Sequence, residues 1–254
     1  MTDSLLFVWG PHDVLTVTIN RPERRNALDP ELLTSLAEAL DSHSDRARAV
    51  ILRGAGTEAF SAGYDLSRLT GTPADLEADR FIGEAVNAIR QCPSPVIAAI
   101  QGHCHGAGVE LALNCDLRIA SPTLRMSVPA VSLGVVYRYQ FVARLVQTCG
   151  VARAADLLLA MPELDADSAK QWGLITEVTQ DLDGRVAQLA ERLATSPRDA
   201  VHGTKASLNL LERRGVAGED LLQAQVLRAA AAASPERKEA VKRRQQSVTR
   251  RSKK

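Results

Sequence analysis

Aromatic residues are scarce: Phe, Trp and Tyr together make up 4% of this 254-residue chain, so no stacking box singles out an aryl ligand. Net charge is nearly absent too. Lys and Arg number 31 against 30 Asp and Glu, which removes any general pull toward nucleic acid or a membrane surface. That balance hides one asymmetry. Lys242–Lys254 carries seven basic residues and no acidic one, and reads as a solvated, disordered end of an otherwise mildly acidic protein. No apolar run approaches the roughly 18 residues that span a bilayer. The opening MTDSLLFVWGPHD lacks the basic start and apolar length of a signal peptide. Cys92, Cys104, Cys115 and Cys149 form no Cys-x-x-Cys pair and no regular spacing, which implies reduced thiols in a cytoplasmic protein.

Several site motifs are missing as well. No Gly-Lys-Ser/Thr occurs, and the third Rossmann glycine after Gly106-Ala107-Gly108 is replaced by Leu111. No Gly-x-Ser-x-Gly elbow is present. His103-Cys104-His105 looks metal-like, but adjacent residues in a strand or turn point in different directions and no fourth ligand pattern follows. No metal is expected.

What remains is ordinary soluble-protein material, 45% hydrophobic and 24% charged, long enough for one sizeable core plus an extension. The most informative stretch is Pro95–Leu113, PVIAAIQGHCHGAGVELAL. It reads as a buried strand over Val96–Ile100, a glycine-rich turn, and a helix starting near Ala107 with Glu110 in its first turn. Glycines admit a ligand close to the backbone, and the first amides of a helix lack intrahelical partners. Such a turn suits an oxygen that becomes negative, and Glu110 lies where it can move a proton beside it. Helix-dipole preference alone also accounts for a glutamate there.

Elsewhere Leu15, Val17 and Ile19 mark a half-buried strand, and Asp29-Pro30 opens a helix over Glu31–Asp41. Ala49–Leu52 is a further strand, followed by a second glycine-containing turn, Phe60–Leu66. A helix is expected from about Asp75 to Arg90, short strands over Cys115–Ala120 and Leu124–Ser127, a loop over Ser132–Tyr137, and a helix over Tyr139–Cys149. Strand–helix alternation argues for an α/β core. From Asp183 the texture turns all-helical: Asp183–Ala194, Arg198–Arg213, Glu219–Ala233 and Pro235–Gln246. This end either folds back on the core or packs on a neighbouring subunit, the latter being preferred.

The two turns, their order and their spacing resemble the crotonase superfamily, the enoyl-CoA hydratase/isomerase family. The resemblance covers nearly the whole chain. It runs through Asn20-Arg21-Pro22 with Asn26-Ala27-Leu28, Phe60–Leu66, Pro95–Glu110, Cys115-Asp116, Leu133-Gly134 and Ala166–Leu174. It implies a ββα spiral core, here 1–195, and a helical C-terminal region, 196–254, that builds homotrimers or hexamers. It further implies an enolate of an acyl- or enoyl-CoA thioester, held by the amides of Tyr64 and Ala107, in fatty-acid or related acyl-CoA metabolism. Coenzyme A enters as part of the substrate, and no other cofactor is required. Arg24, Arg25, Ala27, Ala62, Asp65 and Leu66 match the family's coenzyme-binding positions.

Hydratases of the family split water between two glutamates. Glu110 matches the first, but Ala130 stands where the second belongs. Alanine carries no proton, so two-carboxylate hydration is compromised, and so is the standard double-bond shift, because the family's isomerases usually keep that second carboxylate. The loop Pro129–Tyr137 resembles that of the superfamily's methylmalonyl-CoA decarboxylases, in which a tyrosine matching Tyr137 joins the glutamate. Those enzymes carry a histidine where this chain has Tyr64. A decarboxylase-like lyase and a catalytically silent acyl-CoA binder are therefore the alternatives to an isomerase or hydratase.

Overall fold

The computed structural model describes residues 3–213 and, beyond them, residues 222, 225, 226, 229, 232, 233, 237–239, 241–243, 245 and 246. Ten strands are found among them: β1 Leu5–Trp9, β2 Val14–Ile19, β3 Ala49–Gly54, β4 Ala59–Ser61, β5 Val96–Ile100, β6 His103–His105, β7 Leu117–Ala120, β8 Arg125–Ser127, β9 Leu164–Asp165 and β10 Glu177–Val178. Seven helices accompany them: α1 Pro30–His43, α2 Ala78–Gln91, α3 Ala107–Asn114, α4 Tyr139–Ala155, α5 Ala166–Gln171, α6 Leu182–Thr195 and α7 Arg198–Arg213.

The chain winds as a spiral. Each of three turns lays one strand in a large sheet, one in a small sheet, and then a helix: β3-β4-α2, β5-β6-α3 and β7-β8-α4. The large sheet has the order β1-β2-β3-β5-β7-β10, parallel except for the β1–β2 hairpin. The small sheet runs β4-β6-β8-β9, with β9 antiparallel to β8. This is the expected ββα core.

Every residue of β5 is buried because the large sheet is covered on both faces. Val96, Ala98 and Ile100 face one apolar cluster, packed with α1, α2 and α3. Ile97 and Ala99 face the other, closed by Leu182, Val186, Leu189 and Ala190 of α6. The start of α1 follows the sequence expectation: the Asp29 side chain accepts from the Leu32 amide at 2.9 Å, with Pro30 at the first helical position.

Several boundaries differ from expectation. β1 was not foreseen, because only Leu5 of its five residues is buried and no alternation marks it. His103–His105, read as part of a turn, is a strand of the small sheet. The helix expected from Asp75 begins at Ala78, after a 3-10 turn over Pro73–Glu77. The helix expected to stop at Cys149 continues to Ala155 across a break at Gly150, whose φ is 79°.

The expected helices over 183–194 and 198–213 are α6 and α7, while nine residues of 219–233 and four of 235–246 lie outside the described residues. A buried ammonium fastens α7: Lys205 Nζ donates to Asp116 Oδ2 at 2.7 Å and to the carbonyls of Ile89 and Ser94 at 3.1 Å. Farther along, buried Arg237 bonds Asp75 at 2.9 Å and the Thr72 carbonyl at 3.0 Å, and Gln245 donates to the carbonyls of Leu66 and Leu69. These described residues fold back over the same chain's 66–75 segment.

Lys205→Ala leaves Asp116 without its cation and two carbonyls without their donor. Breaking a buried pair in this way costs about 3–5 kcal/mol. Denaturant unfolding at neutral pH is expected to read a loss of that order, and a change within error would remove Lys205 as the fastening of α7.

Candidate active site

The first turn is organised by Asn26, fully buried and in the left-handed region at φ 56°, which asparagine tolerates. Its side-chain amide donates to the carbonyls of Ala55 at 3.0 Å and Ala59 at 2.7 Å, and its oxygen accepts from the Arg21 amide. Ser61 Oγ donates to the Asn26 carbonyl at 2.8 Å and accepts from the Gly63 amide. Leu28 then bonds the Gly63 carbonyl and receives the Asp65 amide. Extended backbone alternates, so the amide of Tyr64, between those two, faces away from Leu28.

Gly63 itself packs on the second turn. A Cβ on Gly63, whose φ is 88°, would stand 2.6 Å from the His105 carbonyl oxygen and 3.4 Å from the Ala107 nitrogen. A Cβ on Gly108 would stand 2.9 Å from the Ser61 carbonyl. Two backbones thus meet where no side chain fits. Among the described residues no hydrogen bond leaves the amide of Tyr64 or of Ala107.

Glu110 sits one helical turn on, 1% exposed, its own amide bonded to the Gly106 carbonyl. Burial raises its pKa, opposed by the charge and hydrogen bond of Arg138 Nη2 on Oε1. Arg138 is a site residue the sequence reading missed. It precedes α4, 28 residues from Glu110, and nothing in the spacing links them. Gly83 of α2 makes room for it, since a Cβ there would come within 2.7 Å of Nη1. Arg138 Nε is buried without a hydrogen-bond partner.

Half-buried Tyr137 lies alongside. Its hydroxyl would be 3.1 Å from a Cβ on Gly106, and its ring packs on Phe141 at 4.8 Å. Withdrawal from water raises its pKa, with the nearby Glu110 charge adding to the effect. Ala130 is buried, and its carbonyl accepts from Leu133 and Val135, so it serves the loop through its backbone.

The remaining predicted positions gather around the first turn with different roles. Asp65 accepts from Arg24 at 3.0 Å and Arg21 at 3.2 Å and caps Ser67. Burial pushes its carboxyl up, but the Ser67 and Arg24 bonds outweigh it and the pKa is lowered. Arg24 is half exposed with its guanidinium on Asp65, whereas Arg25 turns its side chain to exposed Glu58 at 3.5 Å. Ala27 is buried, Ala62 donates its amide to the Arg25 carbonyl, and Leu66 offers its carbonyl to Gln245.

A ββα spiral whose two glycine turns converge beside a buried carboxylate is the crotonase architecture. The profile of the enoyl-CoA hydratase/isomerase family matches residues 10–246, and the chain belongs to that family. It is 36% identical over 209 residues to the 1,2-epoxyphenylacetyl-CoA isomerase of Escherichia coli, covering 78% of this chain and 79% of the relative. It is 32% identical over 203 residues to the short-chain-enoyl-CoA hydratase of Clostridium acetobutylicum, covering 77% of each. The crystal structure of an enoyl-CoA hydratase from Mycobacterium avium subsp. paratuberculosis K-10 superposes with a TM-score of 0.84 at 28% identity, over 95% of this chain and 99% of that one. No described helix is long and apolar enough to cross a membrane.

Arg138 opposes the desolvation of Glu110, so Arg138→Met is expected to raise the Glu110 pKa further. Titrating the Glu110 carboxyl by 13C NMR in both proteins reads this directly. Glu110 is already raised above its unfolded value, so its contribution to stability falls as pH climbs from the ordinary carboxylate range through the native midpoint. In the variant that decline extends to higher pH. An unmoved midpoint contradicts the role given to Arg138.

Proposed function

We propose that the protein binds an acyl- or enoyl-CoA thioester and stabilises its enolate between the amides of Tyr64 and Ala107. The observation that carries this is the approach of Gly63 to the Ala107 nitrogen, with both amides lacking acceptors. Each such donor is worth about 3–4 kcal/mol of transition-state stabilisation. Glu110 is the group that carries a proton to or from the enolate carbon, and Arg138 holds its orientation and charge. Arg24, Arg25, Ala27, Ala62, Asp65 and Leu66 border the path of the coenzyme, with the arginines toward its phosphates. Coenzyme A is part of the substrate and no other cofactor takes part. Ala130 weighs against water addition, because Glu110 has no second carboxylate with which to split water. A proton shift in fatty-acid or related acyl-CoA metabolism is the preferred reaction.

A decarboxylase-like lyase is the second reading, favoured by a separate observation. Arg138 places a guanidinium with an unpartnered, buried Nε beside Glu110, where a purely aliphatic acyl chain has no use for it. An acyl carboxylate supplies the missing acceptor. On decarboxylation the C–C bonding pair would pass into the thioester, its oxygen held as the enolate, carbon dioxide would leave, and Tyr137 or Glu110 would protonate the carbon.

In this reading residues 1–195 form the thioester-binding core of a cytoplasmic enzyme, and 196–254 complete it and support a homotrimer or a hexamer of paired trimers. No nucleic acid or membrane is a partner.

The test is a panel of enoyl-, malonyl- and methylmalonyl-CoA thioesters with single-turnover product analysis. At least one product is expected, and Glu110→Ala is expected to lower turnover by about 10²–10⁴-fold while leaving CoA-ester affinity nearly intact. Unchanged turnover removes Glu110 from the mechanism. Tight binding without product from any thioester identifies a silent binder, and failure to bind any of them overturns the proposal.

A further inference from the structure

A second group of ligating side chains lies outside the site described above. On β6 alternate residues share a face, so His103 and His105 project together while Cys104 is buried in the apolar core on the other side. Adjacent residues do point in different directions, which removes Cys104 as a ligand but leaves the two histidines, two residues apart, on one face. Their facing nitrogens, His103 Nδ1 and His105 Nε2, are 3.1 Å apart. The third member comes from far along the chain. β8 pairs with β6 to set Ser127 opposite His105, and β9 pairs with β8 to set Leu164 opposite Met126. Exposed Glu163, just before β9, is thereby carried to the histidines, and one ligand atom from each of the three residues lies within 4.8 Å of the others.

We propose that His103, His105 and Glu163 form a binding site for a divalent transition cation of the zinc class. Two imidazoles and one carboxylate are a donor set zinc accepts, with water completing a tetrahedron, and calcium and magnesium, which want oxygen ligands, are disfavoured. Two nitrogens on one tetrahedral zinc stand roughly 3.3 Å apart, given bonds of about 2.0–2.1 Å. The observed 3.1 Å needs little adjustment. Ser127 Oγ lies 2.8 Å from His105 Nδ1. With Nδ1–H donating to that hydroxyl, the Nε2 lone pair turns toward His103, the outer support typical of metal-binding histidines. Glu163, on the surface, is free to close the last gap. Its exposure also makes this an exchangeable surface site that clamps β6 to the strand pair β8–β9.

The test uses the full-length chain without an affinity tag, stripped with chelator, and titrated with Co²⁺ by visible absorption and with Zn²⁺ by calorimetry. One ion per chain is expected, with the intense d–d bands of four-coordinate Co²⁺. His103→Asn, His105→Asn and Glu163→Gln are each expected to weaken binding at least tenfold, and added Zn²⁺ to raise Tm in the parent but not in His105→Asn. Cys104→Ser and Glu110→Ala are expected to bind as the parent does. A far-ultraviolet spectrum and Tm of each apo variant establish that it folds, and Glu163→Gln, at an exposed position, keeps the test decisive if a histidine variant does not. Absence of binding, six-coordinate Co²⁺ spectra, or affinity unchanged in the folded variants would overturn the proposal. The acyl-CoA reading is untouched by any of these results.

Discussion

The structure depends on one backbone-to-backbone contact, the packing of the Ala62-Gly63-Tyr64 turn against the start of α3. Gly63 lies on the His105 carbonyl and the Ala107 nitrogen, and Gly108 lies on the Ser61 carbonyl. Any side chain at either glycine would force the turns apart. Around that contact the network is local and complete: Asn26 ties the 55–59 loop to Arg21, and Ser61 ties the turn to Asn26. A rigid frame of this kind lets two amides stay without partners, since they cannot relax toward some other acceptor.

The carboxylate beside that frame is under opposed pressures. Burial favours the neutral acid and Arg138 favours the anion, leaving a raised pKa in a group that still has a cation at hand. A perturbed, buried carboxyl with a cation at hand is the kind of group that acid–base chemistry uses. Tyr137, raised by burial and by the Glu110 charge, remains a protonated donor across physiological pH.

Much of the spiral was legible because its signals are local. The alternation of Leu15, Val17 and Ile19, the Asp29-Pro30 start and the apolar run of β5 each declare an element within a few residues. The glycines of the two turns and Glu110 were readable in the same way, and the order of the two turns carried the family resemblance. What stayed hidden was set by contacts distant in sequence. The Arg138–Glu110 pair joins two loops of the spiral, Lys205 reaches back 89 residues to Asp116, and Glu163 meets His105 only through two strand pairings. β1 was illegible for a different reason: as an edge strand with Phe7 and Val8 exposed, it has no burial period to read.

The central claim is that Tyr64 and Ala107 polarise one thioester carbonyl, and vibrational spectroscopy of a bound, 13C-carbonyl-labelled, non-reactive acyl-CoA tests it most directly. Two converging donors predict a carbonyl stretch shifted to lower frequency than in water, with the shift lost in Gly63→Ala while binding through the coenzyme arm persists. A bound ester whose carbonyl stretch matches that of the free ester in water would contradict the account.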